Sequence, residues 1–199
     1  MRGLRWSESR SFEDLEAPEK GFEIIRRGWD SGLDYLETYQ KILSHLHKTR
    51  KPQDVVLLIQ LRNGSRVGEA VEALRKFCET GKTQVLVKIE KHRDPKDQRL
   101  MVLPEEFKKG SGKVLLEQAC AWLSGTEKPK EAVKSYCRRT YGFNTHSLRY
   151  AFITYLLKKG VNPSLVAKIT GHTTLESILH YTERKTAEDL LRDLFRELA

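Results

Sequence analysis

The stretch that most constrains this chain spans residues 146–182 and places polar residues at fixed spacings in an apolar background. It reads HSLRYAFITYLLKKGVNPSLVAKITGHTTLESILHYT. His146 and Arg149 are three residues apart, so a helix would place them on one face. Gly171 and His172 form a pair, and Tyr181 follows that histidine by nine residues. An arginine and an imidazole on one helix face are suited to binding an anionic oxygen.

Two short helices are predicted within this stretch. Apolar residues at helical spacing predict the first over residues 146–157, and Gly160 ends it. Asn162 and Pro163 are typical of the start of a second helix, which extends until Gly171. The polar residues are therefore expected near the ends of two helices joined by a glycine turn.

Composition indicates a basic, folded protein. The 199 residues include 36 Lys and Arg against 27 Asp and Glu, a formal net charge of +9. This charge is spread along the chain, which predicts a folded basic surface with an acidic partner, nucleic acid first. A ribosomal-type binder or a protein of anionic membranes would share the charge. No apolar run approaches the roughly 18 residues of a membrane span, and no signal peptide is expected, so a cytoplasmic protein is predicted.

The cysteines and paired histidines do not have metal-site spacing. Cys78, Cys120 and Cys137 are far apart in sequence, and free thiols in a reducing cytosol are expected. His45 and His47 are two residues apart, so on a helix they point to different faces. Neither a metal nor a cofactor is therefore expected.

The remaining pattern is mostly helical. Two β-rich segments, residues 83–89 and 100–103, are joined by a charged turn and predict a hairpin. The predicted class is mostly α with a small antiparallel β-hairpin. Residues 1–33 are expected to be an N-terminal arm or linker remnant, and residues 34–199 one domain. The predicted tail helix, residues 186–198, has an apolar face that packs either on the core of its own domain or on a neighbouring protomer. Helical spacing predicts further helices at residues 34–48, 54–61, 66–74, 105–124 and 130–140.

A second arginine lies at a predicted turn–helix junction, in LLIQLRNGSRVGEAVEAL. Ser65 is the predicted N-cap of a helix that begins at Arg66. An arginine there lies beside the free N–H groups of a helix start, and both features favour a phosphate. The alternative is a surface arginine paired with Glu69, three residues later.

Taken in order, these motifs resemble the catalytic domain of the tyrosine recombinase and integrase family. That family combines an arginine box (L-L-x-x-T-G-x-R-x-x-E), a hairpin lysine, H-x-L-R, L-G-H and a tyrosine nine residues later. Here Asn63 replaces the threonine of the box, and residues 169–172 (ITGH) depart mildly from L-G-H. The resemblance covers residues 34–185. It implies the tyrosine recombinase fold and metal-independent cutting and rejoining of DNA through a 3′-phosphotyrosyl intermediate.

The resemblance also implies a set of catalytic residues. Attack on a phosphodiester builds negative charge on its non-bridging oxygens, which two arginines can neutralise. A lysine protonates the departing 5′-oxygen, one histidine helps to deprotonate the tyrosine, and the other hydrogen-bonds the phosphate. A tyrosine needs such help because its ordinary pKa is about 10. The implied set is the arginines Arg66 and Arg149, the lysine Lys96, the histidines His146 and His172, and the nucleophile Tyr181.

Two lysines of the hairpin turn compete for one role. Lys96 is preferred because it precedes Pro104 by eight residues, as in the family, and Lys91 is the alternative. Arg99 falls where the family often has another basic residue. The predicted helix at residues 130–140 has a basic face that either follows a phosphate backbone or is simply solvated. The expected DNA-binding residues are Lys91, Arg99, Lys134 and Arg138.

The expected partner is double-stranded DNA, bound by a homo-oligomer that is a tetramer on DNA and can be a monomer off it. The setting implied is a prokaryotic cell, or its virus or mobile element. Fewer than 35 residues precede the predicted domain, which indicates either an excised catalytic domain or a short family member. The alternatives are DNA relaxation like that of type IB topoisomerases, or a non-catalytic DNA-binding regulator.

Overall fold

The computed structural model describes residues 32–92, 94, 96–172 and 178. This part of the chain forms seven α-helices, one two-stranded antiparallel hairpin and a 3₁₀ turn, which confirms the predicted fold class. The predicted arm up to residue 31, Tyr181 and the predicted tail helix 186–198 lie outside the described residues. The elements are α1 Tyr35–Thr49, α2 Pro52–Asn63, α3 Val67–Thr80, β1 Gln84–Lys88, β2 Gln98–Val102, the 3₁₀ turn Glu105–Phe107, α4 Gly110–Ser124, α5 Pro129–Tyr141, α6 Thr145–Lys158 and α7 Pro163–Thr170.

Helix α2 is the centre of the domain. It is apolar on every side, and its residues from Asp54 to Leu61 are all buried. A helix of this kind must be enclosed by others, and α2 contacts α1, α3, α4, α5 and α6. Its amide side chain at Gln60 donates to the carbonyl of Thr145 at 2.6 Å, where α6 begins. The end of α2 and the start of α6 are thereby held together. No helix among the described residues has the length and apolarity needed to cross a bilayer.

A buried carboxylate joins α5 to this centre. Asp54 of α2 accepts hydrogen bonds from the hydroxyls of Tyr141 at 2.7 Å and Tyr136 at 3.0 Å. Its other neighbour is Nδ1 of His45, at 2.8 Å. Burial raises the pKa of Asp54, and these partners oppose the rise. His47 is exposed, so the two histidines of the H-x-H pair point to different faces.

The turn between α2 and α3 requires a glycine. Gly64 ends α2 at φ +55°, and a Cβ there would lie 2.1 Å from Cδ1 of Phe152. The predicted cap of α3 is wrong by one residue. The N-cap is Arg66, whose backbone N–H donates to Oε2 of Glu69 at 3.0 Å. Ser65 is fully buried instead, and its hydroxyl has no partner among the described residues.

A disulfide connects α3 to α4. Cys78 and Cys120 are bonded, with their Cα atoms 5.8 Å apart, which corrects the expectation of three free thiols. The two residues are 42 positions apart in sequence, and only the packing of the two helices brings them together. Cys137 is free and buried, and burial raises the pKa of its thiol to about 12.

The hairpin places one charged residue on its inner face. In the antiparallel register Val85 pairs with Met101 and Val87 pairs with Arg99. Side chains alternate between exposed and buried along both strands, so these four residues face inward. Arg99 therefore points into the protein, towards the turn between α2 and α3.

Candidate active site

Four of the candidate residues converge where the start of α3, the start of α6, the end of α7 and the hairpin meet. Arg66 is the N-cap of α3, and His146 and Arg149 lie in the first turns of α6. His172 follows Gly171, which ends α7 at φ +70°. Two helix N-termini, of α3 and α6, and the C-terminal end of α7 thus bring these basic side chains together.

The buried side chain of Arg149 connects α6 to the turn before α3 and to the end of α7. Its side chain is fully buried, and Nη1 donates to the carbonyl of Gly64 at 3.1 Å. Its Nη2 lies 3.2 Å from Nε2 of His172. Burial, together with the charge of Arg66, lowers the pKa of Arg149 to about 9, so the group is protonated at neutral pH.

The tautomer of His172 follows from its neighbours. The hydroxyl of Thr170 donates to the carbonyl of Val166 at 2.6 Å, so its oxygen must accept from Nδ1–H of His172, at 2.7 Å. Nε2 is then the ring nitrogen left as an acceptor, and Nη2 of Arg149 lies 3.2 Å from Nε2 and 3.3 Å from Nδ1. The end of α7 thus orients the imidazole towards the arginine.

Glu69 holds Arg66 in place. This buried carboxylate accepts from the backbone N–H and Nη1 of Arg66, at 3.0 and 3.1 Å. It also accepts from the backbone N–H of Glu90 and Nη1 of Arg99, both at 3.1 Å. Arg66 donates in addition to the carbonyl of Glu90 at 3.1 Å. The pairing expected as an alternative therefore exists, but at a largely buried site, since the Arg66 side chain is only 17% exposed.

We call Arg66, Glu69, Arg99 and Arg149 the arginine cluster. It contains three guanidinium groups and one carboxylate, and so has a net charge of +2. The charge acts on both histidines. Burial first, then Arg149 and Arg66, lowers the pKa of His146 to about 4 and that of His172 to about 3. The site is a preformed, strongly positive environment with two neutral imidazoles, suited to an anionic oxygen.

The two candidate lysines occupy different positions. Lys91 follows Glu90, whose backbone is bonded to Arg66 and Glu69, and the charge of Lys91 contributes to the low pKa of His146. Lys96 is exposed further along the turn, and its backbone N–H donates to Oδ1 of Asp94 at 2.8 Å. The structure therefore brings Lys91, rather than Lys96, to the arginine cluster.

The four expected DNA-binding residues also differ in placement. Lys91, Lys134 and Arg138 are exposed, the last two on α5. Arg99 departs from the expectation, because only 5% of it is exposed and it is hydrogen-bonded within the protein. One sequence signal indicates this burial: Arg99 is two residues before the core residue Met101, and so lies on the same face of the strand.

Ile178, the one residue described beyond His172, packs against α6 and α7. Ile178 is fully buried in a small apolar cluster with Ile153 and Leu157 of α6 and Val166 and Ala167 of α7. This position is three residues before Tyr181 in sequence. At Ile178 the chain thus packs against α6, which carries His146, and against α7, which ends just before His172.

Comparison with known sequences places this site in a family. The model of the Phage integrase family matches residues 35–188, a range that contains all six candidate catalytic positions. The chain belongs to the phage integrase family. This integrase is 32% identical to the protein named Putative integrase ORF241 of Acidianus two-tailed virus, over 96% of the chain and 81% of that protein. It is 29% identical to Putative integrase V10 of Sputnik virophage, over 90% of the chain and 96% of that protein.

A cellular relative is also similar. The protein named Uncharacterized protein MJ0770, of Methanocaldococcus jannaschii, is 26% identical over 91% of the chain and 95% of its own length. No solved structure matches.

The lowered histidine pKa values predict that acid reduces the folding stability of this integrase. Because the unfolded imidazoles titrate near 6.5, the unfolded chain binds more protons than the folded chain between that pH and about 4. The free energy of unfolding should therefore fall as pH falls through this window. Urea unfolding between pH 7 and 4.5 at low salt measures this slope. His172→Gln should reduce it, whereas His47→Gln, at an exposed position, should not. Equal slopes for wild type and His172→Gln would contradict the depressed pKa.

Proposed function

We propose that this integrase is a site-specific recombinase that cuts and rejoins double-stranded DNA, with Tyr181 as the nucleophile that forms a 3′-phosphotyrosyl bond. The observation that carries the proposal is the convergence of Arg66, Arg149, His146 and His172 on one positive site. These side chains come from sequence positions up to about 100 residues apart, and their order matches the family.

The charge of the arginine cluster supports phosphoryl transfer in particular. A phosphodiester carries one negative charge, and attack on phosphorus produces a pentavalent transition state with about two. A net charge of +2 placed in advance is complementary to that transition state rather than to the ground state. In this proposal the guanidinium groups supply the positive charge that a metal ion supplies in many other phosphoryl-transfer enzymes.

Each residue has one role in the proposed step. The Tyr181 oxygen attacks phosphorus, the bond from phosphorus to the 5′-oxygen breaks, and Arg66 and Arg149 bind the non-bridging oxygens. His146 is assigned to accept the tyrosine proton, which requires the neutral imidazole that it is at neutral pH, although its lowered pKa makes it a weak base. Its Nε2 lies 3.1 Å from the Tyr150 hydroxyl, which orients the ring. His172 hydrogen-bonds the phosphate. The 3′-phosphotyrosyl bond conserves the energy of the broken link, so a 5′-hydroxyl can rejoin it.

The leaving 5′-oxygen needs a proton, and we assign it to Lys91 in preference to Lys96. The backbone of Glu90 is fixed to Arg66 and Glu69, so the next residue starts beside the site. Lys91 has φ +71°, a conformation that turns the chain sharply there. Lys96 remains the alternative from family spacing.

The DNA and the assembly complete the proposal. The exposed basic face of α5, with Lys134 and Arg138, is proposed to follow the phosphate backbone. A salt bridge of 2.8 Å between Lys130 and Glu90 holds this helix against the residue before Lys91. Recombination is proposed to occur in a tetramer on DNA. The proposed setting is the cytoplasm of a prokaryotic cell, with the protein encoded by the cell or by its virus or mobile element.

A covalent adduct is the decisive test. The integrase is incubated with a pool of nicked duplexes of randomised sequence, in which the short strand is lost after cleavage, and adducts are sought after denaturation. Wild type should form an adduct, and Tyr181→Phe should form none because the nucleophilic oxygen is gone. Tyr155→Phe is the matched control, since Tyr155 stacks on Tyr35 at 4.4 Å in the core.

The outcomes separate the candidate functions. An adduct that persists in Tyr181→Phe would contradict the assignment of the nucleophile, and no adduct from wild type would contradict the proposed reaction. With an active wild type, joined products from two different duplexes support recombination. If supercoiled circular DNA is relaxed and no joined products form, the topoisomerase alternative is supported instead.

A further inference from the structure

Arg99 is the member of the arginine cluster whose charge is buried on a strand and to which the proposed reaction assigns no contact with the phosphate. It lies on β2 with 5% of its surface exposed. Burial lowers the pKa of Arg99, and the nearby charge of Arg66 adds to this effect, while Glu69 opposes it. A buried guanidinium is costly compared with an apolar side chain such as the neighbouring Met101, so packing alone does not explain it.

The partners of Arg99 belong to three separate parts of the site. Nη1 donates to Oε2 of Glu69 and to the carbonyl of Thr170, both at 3.1 Å, and lies 3.5 Å from the carbonyl of Gly64. Nη2 donates to the carbonyl of Asn63. One planar group therefore touches the end of α2, the start of α3 and the end of α7, an arrangement that suits the fork geometry of arginine.

Three of these partners, Glu69, Gly64 and Thr170, directly contact a candidate catalytic side chain. Glu69 binds both the backbone and the guanidinium of Arg66. The carbonyl of Gly64 also accepts from Arg149, at 3.1 Å. Thr170 holds Nδ1 of His172 with its hydroxyl, at 2.7 Å. Arg99 is thus one residue removed from three of the groups that surround the proposed phosphate.

We propose that Arg99 is a positioning residue that fixes Arg66, Arg149 and His172 relative to one another for phosphoryl transfer. This rests on the proposed function. Arg99 acts through Glu69 and the carbonyls of Gly64 and Thr170, and it does not touch DNA. Without the guanidinium group and its hydrogen bonds, the end of α7 can move relative to the turn before Arg66. A displacement of about 1 Å at reacting groups can cost roughly 10²-fold in rate.

The test compares Arg99→Met and Arg99→Lys with Arg75→Met. Arg75 also pairs with a glutamate three residues away, at 2.9 Å, but on the exposed face of α3. Adduct formation is measured in single turnovers at saturating DNA, well below each melting temperature. Arg99→Met should be slower by about 10²-fold, with DNA affinity changed by less than about 3-fold. Arg99→Lys keeps the charge but lacks the planar guanidinium, so it should recover only part of the rate. It should fold even if Arg99→Met does not. Arg75→Met should match wild type.

A direct DNA contact would give a different result. Loss of a phosphate contact would weaken binding, reduce the slope of log Kd against log salt by about 0.9, and leave the rate at saturation unchanged. That result, or full activity of Arg99→Lys, would overturn the positioning role.

A readout without DNA separates this proposal from the proposed function. The titration and chemical shifts of the His172 imidazole are followed by NMR. In Arg99→Met the His172 pKa should rise from about 3 towards its ordinary value, because Arg99 is among the charges that lower it, and the Nδ1–H signal should shift as Thr170 moves. Unchanged His172 signals would refute positioning, whereas a wild type that forms no adduct would refute only the reaction.

Discussion

Replacing Arg149 by methionine should lower the rate of adduct formation by about 10²–10³-fold without lowering the thermal stability of the domain. The rate falls because a preorganised donor to the non-bridging oxygen is lost. Stability is maintained because Arg149 is a fully buried cation beside the charge of Arg66, and burial lowers its pKa to about 9. Removing an unfavourable buried charge offsets the two hydrogen bonds lost, to Gly64 and His172, at roughly 1 kcal/mol each.

Two measurements together check this prediction. Single-turnover adduct formation gives the rate, and differential scanning calorimetry gives the melting temperature with and without orthovanadate, a mimic of the pentavalent phosphate. Vanadate should raise the melting temperature of wild type and of Arg75→Met but not that of Arg149→Met, because a ligand stabilises only a protein that binds it. A large drop in melting temperature with no change in rate at the permissive temperature would show that Arg149 is structural.

Replacing Lys91 by alanine should slow cleavage by roughly 10²–10³-fold on an ordinary phosphodiester, because general acid catalysis contributes about that much. The loss should disappear on a substrate whose bridging 5′-oxygen is sulfur, since a thiolate leaves without a proton. Lys96→Ala should change either rate by less than about 3-fold, because Lys96 lies in the exposed turn. Both variants are measured in single turnovers with saturating DNA.

The lysine comparison has a matched design because both residues lie in one hairpin turn and both are exposed. Rescue by sulfur of Lys96→Ala instead of Lys91→Ala would show that family spacing, and not the position next to Glu90, identifies the acid. Equal rate defects of Lys91→Ala on both substrates would show that Lys91 is not the proton donor.

Sequence periodicity was sufficient for most of the fold. Alternating and helical apolar patterns predicted the helices, the hairpin and the glycine turn at Gly64, because these depend on near neighbours in the chain. Ser65 was misplaced as a cap, because the helix begins one residue later, with Arg66 as the N-cap and its backbone N–H bonded to Glu69. The disulfide between Cys78 and Cys120 was missed because packing between two helices decides it.

The stretch at residues 146–182 and the arginine box were enough to identify the family, because their spacing matches a family pattern and the family is confirmed. The candidate catalytic residues follow from that pattern and stay a prediction. Where those side chains lie relative to one another could be read only from the tertiary structure. It placed Lys91 beside the cluster, buried Arg99 where an exposed DNA contact was expected, and set the low pKa values of the histidines. The physical reason is that burial and the charges of distant segments fix an electrostatic environment, and neither is encoded in local spacing.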